Sequence, residues 1–177
     1  MKSTKDILTK LGACPEAVKW AGRKTHKKAW GTCQRGDWLL WIAGKLNVDR
    51  KLLVLAACGC ARTALKYIPA GEDRPRIAIE TAEAWTRGEA TIDQVRTAAH
   101  AAAAYADAAD AAAAYAADAA YAAAADAADA ADAAAAYAAD AADAAYAAAR
   151  KDIADIVRKI IPFSDIKEAI AEYEGKV

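Results

Sequence analysis

From Thr91 to Ile161 the chain contains neither glycine nor proline. With both breakers missing, nothing in that stretch forces a turn. The whole chain has one Phe and one Met, and it lacks runs of Val, Ile and aromatics long enough for strands. A sheet is therefore excluded and the expected class is all-α. No window of eighteen residues is strongly apolar and uncharged, so no membrane span is expected. An Asp every few residues keeps even the alanine tract out of a bilayer. No basic-then-apolar stretch opens the chain, and its four cysteines (Cys14, Cys33, Cys58, Cys60) sit among periodic apolar residues. Reduced thiols in a cytoplasm are the expectation. A catalytic thiol needs a positioned histidine, and nothing in the spacing fixes His26 or His100 beside a Cys. No catalytic constellation is found, so neither an enzyme nor a cofactor is expected.

What is present is charge, unevenly placed. The net charge is zero, with 24 basic and 24 acidic residues. Residues 1–66 carry 14 Lys/Arg against 4 Asp/Glu, and residues 67–149 carry 4 against 14. Blocks of +10 and −10 attract each other, within one chain or between copies, or stand as separately solvated faces.

The first 90 residues read as short capped helices. Ser3 or Thr4 caps a helix that ends near Gly12, and Pro15 opens a second. The basic run RKTHKKAW follows. Asp37 is expected to cap WLLWIAGKL, and Asp49 to cap RKLLVLAACGCARTALKYI. Pro69-Ala70-Gly71 breaks that helix, and RIAIETAEAWTR runs from Asp73-Arg74-Pro75 to Gly88. Thr91 and Gln94 have capping-box spacing. Pro162 interrupts the last amphipathic segment, with Ser164 or Asp165 expected as its cap.

Within residues 98–149, 38 of 52 are alanine, the strongest helix former. A straight helix over 92–149 would be about 87 Å long. Asp107, Asp118, Asp129 and Asp140 are spaced by eleven, which is three turns at about 3.67 residues per turn. A second series runs Asp110, Tyr121, Asp132, Asp143 and a third Tyr115, Asp126, Tyr137. They lie roughly 65° to either side of the first. All eight aspartates and three of five tyrosines thus form one candidate interaction stripe, and the rest of the cylinder is nearly pure alanine. A methyl face this long invites close packing of another backbone, so a homo-oligomer is one expectation.

Other constellations are weaker. A C-x-C pair on a helix points its thiols apart, so buried core cysteines are expected at Cys58 and Cys60 and no metal site. Trp20, Trp30, Trp38, Trp41 and Trp85 at helical spacing read as core before they read as base-stacking platforms. Arg23, Lys24, Lys27 and Lys28 form the candidate basic patch, for an anion or for the chain's own acidic stripe, with nucleic acid disfavoured. The stripe carries one charge per roughly 7 Å, against about 1.7 Å on duplex DNA, which makes a sparse mimic. A rigid helix cannot wrap six oxygens round calcium.

The segments DWLLWIAGKL and LAACGCARTALKYIPAGEDRPRIAIETAEAWTRGEATIDQVRTAA, the alanine tract and IVRKIIP resemble the alanine-rich immunity proteins of bacterial polymorphic-toxin systems and phage genomes. The resemblance covers most of residues 30–162 in order, and residues 1–29 lie outside it. It implies a cytoplasmic protein that binds and neutralises a toxin, with no catalytic residues to carry over. The expected architecture is a helical domain over 1–90, an extended alanine-rich helix over 91–161 and a short C-terminal helix over 162–177. The expected role is non-enzymatic masking of a toxin or defence effector. A self-assembling alanine-helix protein and a nucleic-acid or nucleic-acid-mimic binder are the alternatives.

Overall fold

Asp49 opens the helix around which the others are arranged. Its carboxylate accepts from the amides of Lys51 and Leu52 at 2.8 and 3.2 Å, satisfying two of the donors a helix start leaves over. The computed structural model describes residues 2–68, 70–106 and 145–176. Among them are α1 (Thr4–Lys10), α2 (Pro15–Ala21), α3 (His26–Thr32), α4 (Gly36–Lys45) and α5 (Arg50–Arg62). A 3₁₀ turn at Leu65–Tyr67 leads to α6 (Arg74–Arg87) and α7 (Ile92–Ala106). Then come α8 (Ala145–Ile160) and α9 (Phe163–Lys176). No described residue lies in a strand, and the fold is all-α.

The helix ends follow local chemistry. Ser3 and Asp6 form a capping box at α1, with the Ser3 amide 3.2 Å and its hydroxyl 2.6 Å from Asp6 Oδ2. Pro15 occupies the first turn of α2, and Thr25 Oγ1 accepts from the Lys28 amide at α3. The Thr91 amide donates to Gln94 Oε1 at 2.7 Å and the Gln94 amide to Thr91 Oγ1 at 3.2 Å, the reciprocal box at α7. Gly88 ends α6 at φ 80°, a left-handed conformation that a side chain would strain.

Two caps differ from the sequence expectation. Helix α4 begins two residues early, at Gly36, with no side-chain cap. Asp37 is buried in its first turn and holds the Arg35 guanidinium, with Arg35 Nε 2.8 and 3.0 Å from the two carboxylate oxygens. Helix α9 starts directly after Pro162, which puts Ser164 and Asp165 inside its first turn. There the Ser164 hydroxyl donates to Asp165 Oδ1 at 3.0 Å.

Helix α5 separates two apolar clusters. Leu53 and Ala56 join Leu40, Leu46, Val157, Ile161 and Ile166 in one. Val54, Ala57, Cys58 and Ala61 join Ala78, Ile79, Ala82, Val95, Ala99 and Ala102 in the other. This 3.6-residue alternation turns adjacent residues of α5 towards different neighbours. In consequence α7 packs on α6, α6 on α5, α8 on both α4 and α5, and α9 on α3. The opposed alanines of α6 and α7 (Ala78, Ala82, Ala99, Ala102) are fully buried and allow their backbones to come close.

Candidate interaction surface and cavity

The basic run straddles the loop between α2 and α3. Arg23, Lys27 and Lys28 are exposed, while Lys24 is half-buried. The Lys24 ammonium lies 4.2 Å from the Trp20 ring centroid and also donates to the Trp20 carbonyl. Three cations therefore face solvent, and the fourth is spent on an indole. Next along the surface, the Arg35 guanidinium lies 4.7 Å from the Trp38 ring, and Trp20 and Trp38 meet edge to face at 6.0 Å.

The buried face of α3 carries His26, Ala29 and Trp30. His26 Nδ1 lies 3.0 Å from Thr4 Oγ1 and Nε2 lies 3.1 Å from the Lys2 carbonyl oxygen. The Thr4 hydroxyl is also 2.7 Å from the Lys24 carbonyl, which accepts from it. The histidine thus fastens the start of the chain over α3. That is a structural role, which its sequence neighbours gave no signal of. Beneath α1 and α2 a cavity of 380 Å³ opens between these helices, α3, α4 and α9. Trp20, Trp30, Trp38 and Trp41 line it, together with Ile7 and Ile166. Trp30 is core as expected, whereas Trp20, Trp38 and Trp41 are only partly buried.

No thiol is poised for chemistry. Burial pushes the Cys33, Cys58 and Cys60 thiols up from their ordinary range. Cys58 Sγ lies 3.9 Å from the Ile79 carbonyl oxygen, and Cys14 is exposed. Among the described residues no group of three His, Cys, Asp or Glu could hold a metal ion. No helix among them is long and apolar enough to cross a membrane.

The candidate stripe, Asp107, Asp110, Tyr115, Asp118, Tyr121, Asp126, Asp129, Asp132, Tyr137, Asp140 and Asp143, lies outside the described residues. The residues flanking it are placed. Helix α7 is buried on α6 through Val95 and Ala99, and α8 on the core through Ala154 and Val157.

No curated protein and no solved structure matches the chain. A model of the family described as Imm-5 like putative immunity protein matches residues 46–162, more than half of the 177 residues. That match runs from the end of α4 through the α5–α6–α7 unit to the end of α8, and the chain belongs to the Imm-5 like putative immunity protein family.

Proposed function

We propose that the chain is a non-enzymatic immunity factor that binds a toxin or effector protein and masks it by bulk and by charge. Membership of an immunity family over residues 46–162 is the observation that carries this reading. The charge distribution supports it: a basic block over 1–66 and an acidic block over 67–149 offer complementary surfaces to a charged target. Arg23, Lys27 and Lys28 supply three exposed cations on one side, and the aspartate series supplies the candidate acidic contact. Blocking by such a surface needs neither cofactor nor metal. The setting is the cytoplasm of a bacterium carrying a polymorphic-toxin system, or a phage that disarms a host defence.

The test is growth. The chain is co-expressed with the toxin or effector encoded beside its gene, and rescue is expected. Arg23→Glu, Lys27→Glu and Lys28→Glu together, or Asp118→Lys with Asp129→Lys, should weaken rescue without unfolding the protein. Full toxicity in the presence of well-expressed, folded chain contradicts the proposal.

A further inference from the structure

Three hydrogen-bond contacts converge at the start of the chain, on the buried face of α3. His26 Nε2 lies 3.1 Å from the Lys2 carbonyl oxygen, His26 Nδ1 3.0 Å from Thr4 Oγ1, and Thr4 Oγ1 2.7 Å from the Lys24 carbonyl oxygen. Two of the three end on carbonyls, which accept and never donate. The Thr4 hydroxyl has a single proton, and the Lys24 carbonyl takes it. Nε2 therefore donates to Lys2, and Nδ1 donates to Thr4. Only an imidazole carrying a proton on both nitrogens makes all three bonds.

A neutral ring leaves two protons for the three contacts. Its own proton stays on Nε2, because the Lys2 carbonyl cannot donate. The Thr4 hydroxyl then turns to the bare Nδ1 and abandons the Lys24 carbonyl, or it keeps Lys24 and leaves two acceptors facing each other. One bond is lost either way, and His26 is only 9% exposed, so water replaces it poorly. The Lys24 carbonyl belongs to the loop between α2 and α3, which carries Arg23 and leads into Lys27 and Lys28. The ring's other neighbours differ in kind. Lys2 and Lys24 are half-buried beside it, and Asp37 and Cys33 lie on the same cavity wall. From α9, packed on α3, come the half-buried Tyr173 and Glu174. Asp37 is committed to Arg35, and Glu174 accepts from the Lys2 amide. The two ammoniums oppose a charged ring and the two carboxylates favour it. Carboxylates, amines, phenols and buried thiols ordinarily titrate outside about pH 5–8, where an imidazole changes charge.

We propose that His26 is a proton-operated latch: charged, it ties the start of the chain to the α2–α3 loop through three bonds, and neutral, it gives one of them up and loosens the loop that carries the basic run. Thr4 is the relay, since its hydroxyl is the group whose direction depends on the ring. The third bond is present at the acid end and is lost as pH rises through the titration of the ring. The bearing of the latch on a target rests on the masking reading, whereas the latch itself acts within the chain alone.

The test needs no target. The intact chain is labelled with ¹⁵N-histidine, His100→Gln assigns the two rings, and the His26 nitrogens are followed by NMR from pH 5 to pH 8. Both should carry protons at the acid end, and the neutral ring should keep its proton on Nε2 with Nδ1 bare. Amide exchange is measured over the same range and corrected for its intrinsic pH dependence. The protection of the Lys24 and Ile7 amides, which donate to the Ala21 and Ser3 carbonyls, should fall about fivefold, the worth of one hydrogen bond. Thr4→Ser keeps a hydroxyl and should keep this fall, whereas Thr4→Val removes the relay and should abolish it. A ring that holds one charge state throughout, a neutral ring protonated on Nδ1, or protection that is constant or rises with pH overturns the proposal. So does an equal fall in Thr4→Val. Should that variant fail to fold, the tautomer and the protection of the unmodified chain still decide.

Discussion

Ile153 on α8 occupies the space where Gly36 on α4 would carry a side chain. A Cβ added there would overlap the Ile153 Cγ2 and lie 2.9 Å from the Ala154 backbone nitrogen. The two helices therefore meet backbone to backbone, which explains why α4 begins with glycine and why its aspartate does not cap it. Gly59 on α5 makes a second, softer approach, 2.8 Å from Ile156 Cγ2 and 3.3 Å from Ile160 Cδ1 for a built Cβ.

Gly36→Ala should therefore destabilise the fold by about 2–3 kcal/mol, since backbone cannot step aside. The melting temperature should fall by about 5–10 °C. Gly59→Ala should cost much less. Its neighbours are half-buried isoleucine side chains rather than backbone, and alanine recovers about 1 kcal/mol of helix propensity. Paired thermal melts check the order, and equal losses would contradict the packing described.

Arg158 fastens the same helix to α3. Its guanidinium donates to the carbonyls of Trp30 and Cys33, at 3.2 and 2.6 Å, and to Asp155 at 2.6 Å. It thereby satisfies carbonyls at the end of α3, where a helix leaves acceptors over. Arg158→Ala should cost about 2 kcal/mol in denaturant unfolding. Arg158→Lys should recover only part of it, because one ammonium cannot reproduce the fork.

The thiols should divide by burial. Cys14 is exposed, whereas Cys33, Cys58 and Cys60 have thiols raised by burial. A disulfide reagent on the folded chain should titrate Cys14 quickly, the partly buried Cys60 more slowly, and Cys33 and Cys58 only on unfolding. The sign of the pH effect follows. Above the ordinary thiol value of 9.0 the unfolded chain releases protons that Cys58 and Cys60 keep in the fold. Stability should fall as pH rises past that point. Four fast thiols would contradict the burial.

Both flanks of the alanine tract are packed into one body, α7 through α6 and α8 through α4 and α5. Spin labels at Thr97→Cys and Lys151→Cys, in a chain with Cys14→Ser, should lie within about 40 Å, the breadth of a compact body this size. A distance near 80 Å, the span of a straight helix between those positions, would contradict the packing.

What could be read from the sequence was mostly local. The Ser3 cap, the Thr91–Gln94 box, the Asp49 cap, Pro15 and Gly88 each depend on a few neighbouring residues, and each stands where the sequence puts it. Asp37 does not cap because its carboxylate holds Arg35, and α4 starts ahead of it at Gly36, where α8, more than a hundred residues on, packs against the glycine. Ser164 and Asp165 were misplaced because α9 starts as soon as Pro162 permits. The core role of Trp30 follows from helical spacing. The cavity does not, since it depends on how α1 and α2 lie over α3 and α4.

Non-enzymatic masking makes one demand that a catalytic antidote does not. The purified chain should be titrated against the activity of whichever toxin or effector it neutralises in the growth test. Activity should fall linearly to zero at a fixed molar ratio of chain to toxin, and dissociating the complex should return the toxin unmodified and active. Complete inactivation by a small fraction of an equivalent, or recovery of a cleaved or covalently altered toxin, would contradict masking.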